Sequence, residues 1–172
     1  GFTSNVRTSG GRIGIQNMIS DQVARTSGGS MSMENIRGLV DARTSGGAIT
    51  IKDVYGNLRA STSGGSIQAN GMSGEIDLST SGGGINIDNA MGRIHASTSG
   101  GGIIAKVSEV SGSLRLSTSG GSLNVTLPAS QGFDIDARGS RVVSDMSRFN
   151  GSNEWGRMSG TVNGGGIPVR LT

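Results

Sequence analysis

Few side chains in this sequence could carry out acid–base chemistry. His95 is the only histidine, and steps of 18 to 20 residues place it between Asp77 and Arg115 in a series of charged positions. A Ser-His-Asp triad would need a pocket that holds the substrate, and the surrounding pattern predicts none. We therefore interpret His95 as a surface residue and predict no catalytic residue and no enzymatic activity.

The sequence also offers little to a metal or a cofactor. It contains no cysteine, which excludes disulfides, thiolate zinc sites and a cysteine nucleophile. Asp134 and Asp136 are a generic pair of carboxylates. Nine-residue glycine repeats resemble calcium-binding β-rolls, but those need Asp in every turn, and the equivalent positions here are Asn35, Asp53, Gly71 and Asn89. We predict no regular cation ladder, no metal site and no cofactor.

Hydroxyl groups recur in the motif Thr-Ser-Gly-Gly. Its seven copies begin at Thr8, Thr26, Thr44, Thr62, Thr80, Thr98 and Thr118. The motif is neither a Gly-Lys-Thr phosphate loop nor a dinucleotide fingerprint that opens a helix. We expect the hydroxyls to satisfy turn backbone groups and to hydrogen bond along a ladder. The alternative is a flat hydroxyl array that binds ice or a polysaccharide.

One series of basic residues breaks the alternation of charge. Arg7, Arg25 and Arg43 occupy equivalent positions before serine replaces arginine in later repeats. This stripe is either a solvated edge or a contact for an anion or a polysaccharide, so Arg7, Arg25 and Arg43 are candidate ligand contacts, together with Trp155. Nucleic-acid binding is not expected, because the net charge is only +3 and the basic residues are not interleaved with stacking aromatics.

The repeat itself predicts the elements that position these side chains. Each 18-residue unit divides into two halves that open with Gly and then alternate apolar and polar residues, which is the period of a β-strand. One coil is then two short strands joined by two turns, with glycine at each corner for a positive φ or a close backbone approach. The prediction is an all-β, parallel β-solenoid of about seven coils.

Stacked coils align equivalent residues into columns. The apolar columns are expected to form a thin core; one of them contains Ile49, Ile67, Ile85 and Ile103. Two outward columns mostly alternate in charge, as parallel in-register stacking would favour: Asp41, Arg59, Asp77, His95 and Arg115, and Glu34, Lys52, Asn70, Asp88 and Lys106.

The period fails towards the carboxyl end. Two extra residues near 106–111 predict a bulging loop, with Val110 kept in the inner column, and Pro128 ends the regular strands because proline cannot donate to a ladder. We assign residues 1–126 to the solenoid and 127–172 to an irregular, β-rich cap. Within the cap we predict strands at 132–138, 141–144, 158–163 and 167–171, and a loop or hairpin tip at 147–157. Phe133, Phe149 and Trp155 are expected to cover the open end of the stack.

The repeat and the tail together carry a family resemblance. Thr-Ser-Gly-Gly-x-Ile-x-Ile units, followed by Leu127-Pro128 and by Gly160-Thr-Val-Asn-Gly-Gly-Gly-Ile-Pro-Val-Arg-Leu-Thr172, resemble a bacterial family of adhesin-like domains of unknown function. The resemblance implies a single-chain, right-handed β-solenoid located outside the cytoplasm or in the envelope, without an assigned ligand. It supplies no catalytic residues.

These features together predict a non-enzymatic surface or envelope module for adhesion or scaffolding, with multivalent contacts along one face. The alternatives are a carbohydrate-binding or carbohydrate-modifying β-helix and, third, an ice-binding solenoid. The candidate partners are a surface polysaccharide or another protein, and the chain itself is expected to be a monomer or a weak end-to-end or edge dimer. Both ends of the chain lie within the repeat, which suggests a piece of a longer protein, so any membrane attachment would come from segments outside it.

Overall fold

The computed structural model describes residues 2–145 and 147–172, and within them the regular structure is entirely β. Fifteen strands follow one another along the chain. Their bounds are β1 Thr3–Thr8, β2 Ile13–Met18, β3 Asp21–Thr26, β4 Met31–Arg37, β5 Val40–Thr44, β6 Ile49–Tyr55, β7 Leu58–Thr62, β8 Ile67–Thr80, β9 Ile85–Thr98, β10 Ile103–Thr118, β11 Leu123–Thr126, β12 Phe133–Arg138, β13 Phe149–Glu154, β14 Arg157–Val162 and β15 Ile167–Leu171.

The strands form two walls of a parallel solenoid. The first wall contains β2, β4, β6, the first halves of β8, β9 and β10, and β11. The second wall contains β1, β3, β5, β7 and the second halves of β8, β9 and β10, and it continues through β15, β12, β14 and β13. Neighbouring strands pair in register about one repeat apart, as Ile49 does with Ile67 and Ile67 with Ile85. The predicted all-β solenoid of about seven coils is confirmed.

The core lies between the two walls and consists of the predicted apolar columns. In one coil Ile49, Ile51 and Val54 face Leu58 and Ala60, and all five are buried. A large apolar side chain contributes roughly 1.5–3 kcal/mol when it is buried, which is too little for a single coil to offset the loss of backbone entropy. The coils therefore stabilise one another by stacking.

The later coils do not divide into two separate strands as predicted. β8 and β9 each run for 14 residues, and β10 for 16, without a break at the corner between the walls. Pairing continues through this corner, where Ser73 aligns with Met91 and Gly74 with Gly92. The corner is therefore a bend in a continuous strand, because its backbone groups remain paired with the next coil.

The two extra residues near position 108 form bulges and not the predicted loop. The register of β10 against β9 shifts after Lys106, after Val107 and after Val110. Val107, and not Val110, aligns with Ala90, and both valines are buried. A β-bulge accommodates extra residues while the flanking ladder hydrogen bonds are kept, so the insertion remains within the strand.

The carboxyl-terminal region adds strands to the second wall in an order that differs from the sequence. β15, the last strand, lies between β10 and β12 and is parallel to both. β12, β14 and β13 then follow, with antiparallel pairing. Gln131, which precedes β12, bonds to the backbone of Val110 in β10. Its Oε1 accepts from the Val110 amide at 2.9 Å, and its Nε2 donates to the Val110 carbonyl at 3.1 Å.

Two local predictions for this region were wrong and three were right. Residues 141–144 form no strand, and most of the predicted loop at 147–157 is β13, which pairs with β14 along its whole length. The strands predicted at 132–138, 158–163 and 167–171 correspond to β12, β14 and β15. The polar composition of β13 did not predict a strand, because its side chains are largely exposed. The segment is a strand only through its backbone pairing with β14.

Candidate functional site

The threonines of the Thr-Ser-Gly-Gly corner point into the solenoid. Thr62 donates its hydroxyl to the carbonyl of Gly47 in the preceding coil at 2.9 Å and accepts from the amide of Gly65 at 3.3 Å. The same pair of bonds recurs through the stack, and the buried threonines are Thr26, Thr44, Thr62, Thr80 and Thr98. The structural role predicted for these hydroxyls is confirmed. Because the hydroxyls face inward, they do not form the surface array that ice binding would require.

The second glycine of the motif is required by the stacking of the coils. A Cβ on Gly65 would collide with the carbonyl group of Gly47 in the coil below. Gly65 has no positive φ, so its role is close approach and not an unusual backbone conformation. The glycines here position the coils and do not form a ligand-binding loop.

The opposite corner uses a different chemistry. Asn35 and Asp53 adopt left-handed backbone angles, with φ of 52° and 51°, a region that Asn and Asp tolerate better than most residues. Asn35 also donates its amide to the Oδ1 of Asn17 at 2.7 Å. The residue types at these positions, which are equivalent to the calcium-binding turns of β-rolls, are explained by the backbone conformation. In the part of the chain that the structure describes, no group of three or more His, Cys, Asp or Glu residues could hold a metal ion.

The strongest concentration of functional groups is on the outer surface of the second wall, which we call the arginine face. Nine exposed arginines lie on it: Arg7, Arg25, Arg43, Arg59, Arg93, Arg115, Arg170, Arg138 and Arg157. Both lysines of the chain, Lys52 and Lys106, lie on the outer surface of the first wall. The first wall presents these two lysines and Arg37 at the end of β4, so most of the exposed arginines are on the second wall.

The predicted stripe of Arg7, Arg25 and Arg43 lies at the amino-terminal end of this face, with the three residues in register. Asp41 pairs with both Arg25, at 3.4 Å, and Arg43, at 2.9 Å. Within the described residues Arg7 has no ion pair. One carboxylate is thus shared by two of the three candidate arginines, which lowers the charge available to a ligand there.

Further along the face, other acidic side chains pair with arginine. Arg59 lies 3.5 Å from Asp77, and Arg93 lies 3.7 Å from Glu75. These exposed pairs contribute little to stability. Their importance is that each removes a free cation from the face.

Of these carboxylates, Asp136 is the one that accepts two hydrogen bonds from a single arginine. Arg138 donates two hydrogen bonds to it, at 3.2 and 3.1 Å. These bonds, assisted by the positive charges of Arg138, Arg157 and Arg170, hold the pKa of Asp136 below its usual range against the opposing effect of burial. The carboxylate is therefore ionised at neutral pH, with both of its oxygens bound.

Arg115 and Arg170 differ from their neighbours. They lie directly opposite each other on β10 and β15, and no carboxylate among the described residues lies within 4.0 Å of either guanidinium. The sequence does not predict this pair, because it indicates a strand at 167–171 without indicating which strand lies beside it. The available signal was that Val169-Arg170-Leu171-Thr172 has the same pattern as Leu114-Arg115-Leu116-Ser117.

His95 and Trp155 lie apart from one another on the surface. His95 is exposed and aligned with Asp77 and Arg115, as predicted; it lines a shallow groove of about 320 Å³ together with Asp77 and Arg93. Trp155 is 98% exposed at the turn between β13 and β14. It therefore does not cover the end of the stack, although Phe133 is buried there. β1, which carries Arg7, and β13 are at opposite ends of the second wall.

The comparison with protein families accounts for nearly the whole chain. The family model described as Toastrack DUF4097 matches residues 4–171. The chain belongs to the Toastrack family. This is a domain of unknown function and not a known enzyme family. No curated protein and no solved structure matches the chain.

The Toastrack assignment agrees with the parallel β-solenoid described above. It carries no adhesin designation, so that part of the resemblance remains a hypothesis. In the described parts of the Toastrack chain, no helix has the length and apolar character that a membrane-spanning helix needs.

Proposed function

We propose that this Toastrack domain is a non-enzymatic adhesion or scaffolding module of the bacterial cell surface or envelope, and that it binds its partner through the arginine face. The observation that carries the proposal is the placement of nine exposed arginines on one wall of a regular solenoid. Adjacent strands lie about 4.8 Å apart, so the face offers similar contacts at short, regular intervals.

Such a surface favours multivalent binding. Each arginine contact with an anionic group is weak in water, but the second and later contacts to one extended partner are intramolecular and benefit from a high effective concentration. Guanidinium groups are suited to this role because they present several donors in one plane to a carboxylate or phosphate. Since the contacts are exposed, added salt is expected to weaken them.

Carbohydrate binding, the alternative from the sequence, uses the same surface. The groove beside His95 is lined by Glu75, Asp77, Arg59 and Arg93, which offer both donors and acceptors to sugar hydroxyls. The three carboxylates of this groove, Asp41, Glu75 and Asp77, are all in ion pairs with arginine. The groove therefore supports binding of a polysaccharide as the adhesive contact more than it supports cleavage.

The test is adhesion of the purified domain to isolated bacterial envelopes at physiological ionic strength. A variant with Arg7 and Arg157 replaced by Gln removes two cations of the face that pair with no carboxylate among the described residues, and we expect its binding to fall at least fivefold. The matched surface control replaces Lys52 and Lys106 by Gln on the first wall and should change binding less than threefold. Envelope binding that is equal in both variants would contradict the proposal.

A further inference from the structure

We propose that Arg115 and Arg170 form a binding site for the carboxylate groups of an acidic polysaccharide that lies along the solenoid axis. This inference rests on the function proposed above, and it names the ligand class and the residues that contact it. It assigns the contact to the carboxyl-terminal half of the arginine face, which sequence reasoning did not consider.

Other arginines of this face pair with carboxylate groups of the chain itself. Where Arg25 and Arg43 occupy adjacent strands, Asp41 lies between them and bonds to both, at 3.4 and 2.9 Å. Asp136 likewise accepts two hydrogen bonds from Arg138. Pairing of arginine with carboxylate is thus the recurrent interaction of this surface.

Between Arg115 and Arg170 the protein supplies no such group. The two residues are Cα partners on β10 and β15, so their backbones lie about 4.8 Å apart, and among the described residues no carboxylate reaches either one within 4.0 Å. Asp136 is in register with Arg170, whose positive charge helps to lower its pKa. The two side chains nevertheless form no ion pair within 4.0 Å, and both oxygens of Asp136 accept hydrogen bonds from Arg138. Like charges directly opposite each other destabilise a sheet, and an external carboxylate would remove that repulsion.

The surroundings of the pair favour a sugar polymer as the carrier of the carboxylate. Ser97, Ser117 and Thr172 lie beside His95, Arg115 and Arg170 and add hydroxyl groups along the same line. No Phe, Tyr or Trp lies on the described strands of the second wall from β3 to β15 along the pairing order, so the face lacks the large stacking groups that bind single-stranded nucleic acid. A linear polyuronate carries one carboxylate on each sugar and hydroxyls between them, which matches this arrangement.

The experiment measures binding of the whole chain to fluorescent polygalacturonate. Fully methyl-esterified polygalacturonate has the same backbone without the charges and serves as the ligand control. The variant R115Q/R170Q removes the pair, and K52Q/K106Q removes the same number of charges from the opposite surface. Circular dichroism and thermal unfolding confirm that each variant keeps its fold. If R115Q/R170Q does not fold, R115K/R170K replaces it, since lysine keeps the charge but loses the planar, bidentate donor.

We expect wild-type protein to bind polygalacturonate and not its methyl ester. R115Q/R170Q should weaken binding at least tenfold, R115K/R170K at least threefold, and K52Q/K106Q less than twofold. Equal losses in the two charge-removing variants, or equal binding of the methyl ester, would overturn the proposal. Inorganic polyphosphate that binds more tightly than polygalacturonate, with the same dependence on Arg115 and Arg170, would also overturn it by assigning the pair to phosphate. If polygalacturonate fails while envelope adhesion still depends on the arginine face, only this inference fails and the proposed function stands.

Discussion

The two corners of each coil differ in what constrains their backbone. At the Thr-Ser-Gly-Gly corner, Gly65 has no positive φ, and a Cβ would collide with the carbonyl group of Gly47 one coil below. At the opposite corner a Cβ on Gly56 would likewise collide with the carbonyl group of Gly38, but the backbone also has positive φ, 51° at Asp53 and 139° at Gly56. The first corner is constrained by the neighbouring coil alone, and the second adds a constraint from its own backbone conformation.

This difference predicts how each corner depends on position in the stack. A constraint from a neighbouring coil is absent where no described coil lies below, as at Gly11, whose Cβ would meet only the side chain of Thr8. A conformational constraint is local and is present in the coils from β2 to β9, including the first, where Asn17 has a φ of 56°. Three substitutions distinguish the two cases.

Replacement of Gly65 by Ala should have the largest effect. The added methyl group meets backbone atoms of Gly47 and Ala48, which cannot move without separating two coils. We expect the free energy of unfolding to fall by about 3 kcal/mol or more, measured by urea denaturation with circular dichroism. The matched control is Gly11→Ala, which should cost less than about 1 kcal/mol because the added methyl group meets only a side chain. Similar losses at the two positions would show that the corner is constrained locally.

Replacement of Thr62 by Val should have an intermediate effect. Valine keeps the shape of threonine but removes the hydroxyl that bonds to Gly47 and Gly65. The buried carbonyl and amide then lose a partner, at a cost of roughly 1–3 kcal/mol. Thr62→Ser keeps the hydroxyl and should retain most of the stability in the same urea experiment. If serine is as destabilising as valine, packing of the methyl group and not the hydrogen bonds explains the threonine.

Replacement of Asp53 by Ala should have the smallest effect. Left-handed backbone angles cost a residue with a Cβ roughly 1–2 kcal/mol, and aspartate is one of the residues that tolerate them. We expect Asp53→Ala to lower the midpoint of thermal unfolding slightly, while Asp53→Gly leaves it nearly unchanged or raises it. Glycine that is more destabilising than alanine would contradict a conformational role for this position.

Much of the solenoid was predictable because its apolar residues recur at a fixed spacing in the sequence. Alternating residues such as Ile49 and Ile51 place side chains on one face of a strand, and a fixed spacing aligns them with Ile67 and Ala69 in the next coil. The carboxyl-terminal region has no period, so the pairing of its strands could not be predicted from residue spacing. Residues 149–154 are polar and form strand β13, whereas residues 141–144 form no strand. Composition alone therefore does not predict which segments pair as strands.

The candidate site was predictable only in part, for the same reason. The register of Arg7, Arg25 and Arg43 followed from the repeat, but the carboxylate of Asp41 between Arg25 and Arg43 depends on side-chain placement that spacing does not specify. Arg115 and Arg170 are separated by 55 positions of sequence and meet only because β15 inserts beside β10.

The sequence by itself determined the coils, the inward and outward faces, and the buried role of the Thr-Ser-Gly-Gly hydroxyls, because these follow from interactions between equivalent residues one period apart. The tertiary structure alone decided where the last strand lies, and with it which arginines of the outer face lack a carboxylate. That choice depends on competition among β12, β14 and β15 for the open edge of β10, and such competition is settled by packing and backbone pairing across the whole region. The likeness of Val169–Thr172 to Leu114–Ser117 indicates that the last strand belongs with the repeat, but it does not specify which strand it joins.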